Sequence, residues 1–189
     1  MDEIAEAAEL SKGTLYLYYK SKEDLYLTVM MRGLQLLYEK FAQIVEPTES
    51  VPKTLIRLAD AYIEYFHEHR DYFRMMHFFQ TPQFHKQVSE EMMQSCNTAN
   101  QRIWDLVNSL LRRGIEEGML RPDLNPVEVS VILWSSATSL MLRIDSQYEL
   151  WKQRFHIDLI ETVKLSNNLF FESILTVKGR TELATVANP

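Results

Sequence analysis

Met1 to Tyr26 reads MDEIAEAAELSKGTLYLYYKSKEDLY, and this stretch decides the fold. Asp2 and Glu3 stand where acidic residues favour a helix start, and Ile4, Ala5 and Ala8 recur at the three-to-four spacing of one buried helical face. The spacing predicts a first helix from about Asp2 to Ala8. Glu9-Leu10 then leaves a turn short enough only for two helices crossing steeply, with Leu10 as the apolar plug between them. Ser11 is a good N-cap for a second helix, on which Leu15 and Tyr19 share one inward face at i and i+4. Lys12, Gly13, Thr14, Tyr16, Leu17 and Tyr18 are left outward or at the front end. Ser21-Lys22-Glu23-Asp24 reads as a capping box that opens a third helix.

The outward set suits a nucleic-acid duplex. Lys12 and Lys22 can neutralise phosphates, Thr14 brings a hydroxyl and a methyl to base edges, and Tyr16 and Tyr18 add flat bodies with a hydroxyl for phosphate. Gly13 costs a short helix about 1 kcal/mol against alanine, which close approach to a DNA edge offsets. The free N–H groups at the start of the third helix, beside Lys22, form a natural phosphate clamp.

The segment closely resembles the DNA-binding domain of the TetR family of transcriptional regulators. That family's pattern S-K-G-T-x-Y-x-[YH]-[FY] is met by Ser11 to Tyr19, and its K-[STD]-K-E-x-L by Lys20 to Leu25. The match is strong over Met1 to Leu27 and architectural beyond. The resemblance implies that Lys12, Gly13, Thr14, Tyr16 and Leu17 occupy base-facing or groove positions, and that Ser11, Tyr18 and Lys22 contact phosphate. Two departures stand out. Glu9-Leu10 replaces a small apolar pair, so glutamate has to take a left-handed backbone position at some strain. The family also has a helix before the one at Asp2, which is absent here because the sequence begins at Met1; the expectation is that native residues precede Met1. The alternative is a reader that has lost its first helix and binds DNA poorly.

The composition bounds the rest. With 189 residues, 46% hydrophobic and 24% charged, the chain can bury a sizeable core. A net charge of −6 argues against nucleic-acid binding over the whole surface, whereas Lys12, Lys20 and Lys22 make a local basic footprint. Cys96 stands alone, so no intramolecular disulfide or cysteine metal site is available, and a reducing cytoplasm is the expected setting. No apolar run reaches the ~18 residues of a membrane span, and no membrane partner is expected. The absence of a glycine-rich phosphate loop and of an activated nucleophile points away from an enzyme, with no catalytic residue and no cofactor expected. His67, His69, His77 and His85 include no i, i+4 pair that would present two metal ligands together, so no metal site is expected.

Five glycines and six prolines are the punctuation of an all-α protein. A helical stripe of Leu27, Met30, Leu34, Leu37, Phe41 and Ile44 carries the third helix on to Pro47, and Pro52 opens the next. Tyr72 to Phe79 reads as a short aromatic helix, and a stripe from Phe84 to Leu111 as a long one ending at Gly118. Asn125-Pro126 launches a helix to about Ile144, and Asp158 to Val177 is the last. The expected organisation is a helix-turn-helix DNA-binding domain with its linking helix at 1–45, a helical effector-binding and dimerisation domain at 46–178, and a flexible tail at 179–189.

By the resemblance, the last two long helices pair with their two-fold mates in a homodimer. The candidate interface residues are Val131, Trp134, Thr138, Val163, Phe170 and Ile174. Read by periodicity alone, the same seam fits an intramolecular core equally well. Tyr62, Phe66, Phe78, Phe79, Met92, Trp104 and Trp134 are candidates for lining a small-molecule site, because aromatic and methionine side chains form adaptable apolar walls. They also fill ordinary cores. The reading is a ligand-responsive regulator, most simply a repressor released from double-stranded operator DNA by a mostly apolar or aromatic small molecule. The alternative is a ligand-binding helical dimer with a vestigial reader.

Overall fold

A computed structural model of the chain describes residues 1–78 and 88–184. Among the described residues there are nine helices: α1 Asp2–Ala7, α2 Lys12–Tyr18, α3 Lys22–Ala42, α4 Val51–Glu68, α5 Arg70–Phe78, α6 Glu90–Glu116, α7 Pro126–Phe155, α8 Leu159–Ile174 and α9 Val177–Ala184. The all-α expectation therefore holds. Phe79, Phe84 and His85 lie outside the described residues.

The helices gather into two compact units that interleave in sequence. One comprises Met1–Glu39 with His67–Ile103; the other comprises Lys40–Phe66 with the chain from Trp104 onward. In the first, Ala5, Leu15, Leu27, Met30, Leu34, Leu37, Phe73 and Cys96 are buried. Cys96 is an inert core thiol, since burial pushes it up to about 11. Tyr26 donates from its hydroxyl to the Met75 carbonyl at 2.6 Å, tying α3 to α5, and burial pushes its phenol up to about 12.

The second unit is built on α7 packed against α8, with Met141, Ile144, Val163, Phe171 and Ile174 buried. Its loop at 43–50 is held by Arg113 on α6, whose guanidinium donates to the carbonyls of Glu46 at 3.0 Å, Pro47 at 2.8 Å and Glu49 at 3.1 Å. Two caps set the α7 and α8 starts, the first as the sequence predicts. The Asn125 side chain accepts from the Val127 N–H at 2.9 Å, and Asp158 accepts from the Ile160 N–H at 2.8 Å.

Two stretches differ from expectation. Helix α7 runs on past Ile144 to Phe155, because no glycine or proline intervenes, and it stops only where His156 turns left-handed at φ 56°. The chain after Lys178 continues as α9 to Ala184. The Thr176 hydroxyl accepts from the Gly179 N–H at 3.1 Å and donates to the Gly118 carbonyl at 2.7 Å. Gly179 is buried so close to the Met119 carbonyl that a Cβ there would stand 2.3 Å from its oxygen.

Candidate nucleic-acid interface

The geometry starts at the turn between α1 and α2. Glu9 has φ 55°, the left-handed position that the sequence assigns to it. The Leu10 N–H reaches back to the Ala5 carbonyl at 2.9 Å and the Glu9 N–H to the Glu6 carbonyl at 3.0 Å, the double closure that ends a helix on a left-handed residue. Glutamate thus does what glycine does at such an end, without glycine's freedom. Leu10, expected as a plug, is 45% exposed, and Ile4 is exposed as well; only Ala5 and Leu15 of this pair of helices are fully covered.

Ser11 caps α2. Its hydroxyl accepts from the Thr14 N–H at 3.0 Å and lies 2.8 Å from the Thr14 hydroxyl. With the front of the helix fixed and Leu15 buried beneath it, Tyr16, Leu17 and Tyr18 project outward, Leu17 at 83% and Tyr18 at 77% exposure. Ser11, Lys12 and Gly13 are exposed at the front and Thr14 is half-buried. All eight sequence-predicted contact residues therefore lie on α2, at its cap, or at the start of α3.

The cations differ in a way the sequence did not reveal. Lys12 forms an ion pair with Asp2 across the turn, its Nζ 3.0 Å from each carboxylate oxygen. The hydrogen bond between them holds the Asp2 carboxyl below its ordinary range and the Lys12 ammonium above it. Lys20 approaches Glu91 at 3.6 Å. Lys22 is exposed and has no ion-pair partner among the described residues.

At the start of α3 the capping box is half made. The Ser21 hydroxyl accepts from the Asp24 N–H at 3.0 Å, as expected. The Asp24 carboxyl does not return the bond. It is 3% exposed and accepts instead from the N–H of Ser89 at 3.3 Å and from the Ser89 hydroxyl at 3.1 Å. Ser89 in turn caps α6, accepting from the Met92 N–H at 3.3 Å. Asp24 and Ser89 are functional candidates that sequence reading missed, since nothing local marks a partner so far along the chain.

Of the residues read as lining an effector site, four gather in the second unit. Tyr62 stacks on Trp134 with centroids 4.9 Å apart, and Trp104 lies 6.0 Å from Trp134. Phe66 is fully buried on the same helix as Tyr62. The Tyr62 and Thr138 hydroxyls are 2.9 Å apart, and burial raises the Tyr62 phenol. Phe78 and Met92 belong to the first unit, where Phe78 lies 5.9 Å from Tyr26. Among the described residues no group of three or more His, Cys, Asp or Glu is placed to hold a metal ion.

The residues read as a dimer seam divide as well. Val131 is exposed and Phe170 half-buried, whereas Val163 and Ile174 are covered within the chain, and Trp134 and Thr138 engage Tyr62. The large apolar side chains exposed on these helices are Val127, Val131, Ile132, Leu150 and Phe155 of α7 and Leu165 and Leu169 of α8.

Residues 1–29 match the bacterial regulatory proteins of the tetR family, and residues 52–169 match the tetracyclin repressor-like C-terminal domain. The chain is 27% identical over 132 residues to the HTH-type transcriptional regulator YhgD of Bacillus subtilis, a match covering 65% of this chain and 61% of that one. It is 26% identical over 123 residues to the HTH-type transcriptional repressor KstR2 of Mycolicibacterium smegmatis, covering 65% of this chain and 58% of that one. The matched part thus spans about three fifths of these relatives' lengths. In fold it is similar to the transcriptional regulator FadR from Bacillus subtilis, solved in complex with stearoyl-CoA, with a TM-score of 0.69 at 15% identity over 90% of this chain and 86% of that one. Matched by family at both ends, the chain belongs to the TetR family of bacterial regulatory proteins.

Proposed function

We propose that this protein is a homodimeric transcriptional repressor that binds double-stranded operator DNA through α2 and releases it when a small, mostly apolar molecule occupies the helical domain. The observation that carries the reading is the outward face of α2. A short helix capped at Ser11 and anchored by Leu15 holds Tyr16, Leu17 and Tyr18 in solvent on the same helix as Lys12 and Thr14. Large exposed side chains of this kind cost solubility unless a partner covers them. Hydroxyls and ammonium groups interleaved with flat apolar bodies suit a groove edged by phosphates.

The dimer follows from the outward rows on α7 and α8. Val127, Val131, Leu165 and Leu169 would close against the same residues of a second copy, and two readers at a fixed separation would engage two half-sites about one helical turn apart. The effector is proposed to act on the Tyr62, Trp104 and Trp134 cluster. A molecule inserted among those rings would displace the helices that carry them, α4, α6 and α7, and shift the population toward a spacing that no longer fits the operator. An elongated apolar effector is in keeping with the stearoyl-CoA held by the B. subtilis FadR of similar fold.

Selection of duplexes from a random-sequence library by the purified protein tests the reading. A two-fold symmetric sequence is expected to emerge, with affinity falling steeply as salt rises. Enrichment of no sequence at all would remove DNA recognition and leave a ligand-binding helical dimer.

A further inference from the structure

The buried Asp24 carboxyl has an unusual pair of partners. Its two hydrogen bonds come from one residue, Ser89, immediately ahead of α6, and no Lys, Arg or His pairs with it among the described residues. A carboxyl at 3% exposure is costly to bury, and a local capping-box bond to the start of its own helix would have satisfied it more simply. Instead it reaches across to α6, where the helix dipole and the N–H of Ser89 favour it. The same residue is locked into α3 from the other side. Its N–H is held by the Ser21 hydroxyl at 3.0 Å, and its carbonyl accepts from the Thr28 hydroxyl at 2.9 Å.

The chain of bonds runs from Met92 through Ser89 and Asp24 to Ser21, the residue next to Lys22. At that end the N–H groups of Lys22 and Glu23, in the first turn of α3, have no partner among the described residues, and the Lys22 side chain is exposed. A helix start with free N–H groups and a lysine is the clamp for one phosphate. Its orientation is therefore set by a contact with α6 and not by α3 alone. Such a contact has two states: made, or broken with the carboxyl left buried and unpaired, which is the cost asymmetry of any buried polar pair.

We infer that Asp24 is a positioning residue for DNA binding, holding the Ser21-Lys22 phosphate clamp in register through Ser89, so that the start of α6 governs one phosphate contact of the reader. The inference rests on the DNA-binding reading proposed above. It also assigns a role to Ser89, which stands outside the helix-turn-helix segment.

The test uses the full chain and the duplex selected by the wild-type protein. Affinity is measured over a range of salt concentrations for Asp24→Ala, Asp24→Asn, Ser89→Ala and the Asp24→Ala/Ser89→Ala double variant, with thermal melting recorded for each. Asp24→Ala and Ser89→Ala are each expected to weaken binding by about tenfold, and the double variant to be no worse than either single one. The slope of log affinity against log salt should fall by about one phosphate contact in all three. Asp24→Asn keeps an acceptor oxygen and should retain the wild-type slope. A loss of stability alone would lower melting temperature and leave that slope unchanged, so unchanged slope in Ser89→Ala overturns the inference. Should Asp24→Ala fail to fold, Asp24→Asn against Ser89→Ala still decides it. If the wild-type protein selects no duplex, the DNA-binding reading itself falls and this inference falls with it; selection followed by unchanged slopes removes the inference only.

Discussion

Two surfaces of this protein leave large apolar side chains in water, and they do so differently. On α2, Leu17 and Tyr18 share a short helix with Lys12, Thr14 and Tyr16, so every apolar body has a hydroxyl within a turn of helix. On α8, Leu165 and Leu169 are 57% and 65% exposed at i and i+4, and on α7 Val127 and Val131 repeat the same spacing, so each helix carries an apolar pair one turn apart. The first surface offers points of contact to a charged, grooved partner. The second offers an apolar row on each of two helices, which suits the ridge of another helix. Exposed hydrophobic residues are thus informative through their neighbours more than through their number.

That contrast can be broken at either surface. The largest effect is expected from Leu169→Glu, which places a charge in the ridge. The variant should sediment as a monomer at micromolar concentration and bind operator about a hundredfold or more weakly, because each reader then binds alone. A dimer that survives the change would move the interface elsewhere. Tyr16→Ala should weaken operator binding by about tenfold to a hundredfold with the dimer intact, and unchanged affinity in a gel shift would take Tyr16 out of the contact set.

Smaller effects test the frames beneath the two surfaces. Asp158 caps α8, and the Ile160 N–H it accepts, with help from the Tyr148 hydroxyl, holds its carboxyl below the ordinary 3.8. A carboxyl lowered by folding adds stability above its unfolded value and loses it as pH falls through the folded one. Asp158→Ala should therefore cost about 1 kcal/mol in urea melts at neutral pH, with the gap to wild type closing below about pH 4. A gap that stayed constant to pH 2 would remove the ionised cap as its source. Under the reader, Glu9→Gly should gain from a few tenths to about 1 kcal/mol by relieving the left-handed glutamate, read as a raised melting temperature. A lowered one would show that the Glu9 side chain contributes more than its backbone costs.

Much of this architecture could be read from local chemistry. Ser11 and Asn125 cap the helices their sequences announce, and the left-handed position in the turn between α1 and α2 falls on Glu9, where the sequence assigns it. What escaped reading was non-local or carried by an atypical residue. His156 ends α7 in a conformation usually marked by glycine, so a continuous helix to Phe155 had no visible stop. An apolar stripe does not say which helix covers it, and Val163 and Ile174 are covered inside the chain while Leu165 and Leu169 on the same helix are not. Asp24 has the residue type and spacing of a local cap; only the folded chain brings Ser89 to it.

The ion pair between Asp2 and Lys12 bears on discrimination. If Lys12 contacts DNA as proposed, it would approach the duplex with its charge screened by Asp2, and to reach a phosphate it would have to exchange one anion for another. Each random duplex then meets a surface less attractive than its count of lysines suggests, and the exchange is repaid only where the remaining groups of α2 find their own partners. On a genome offering vastly more wrong sites than right ones, a contact withheld until the others agree narrows residence to the few sequences that satisfy them all.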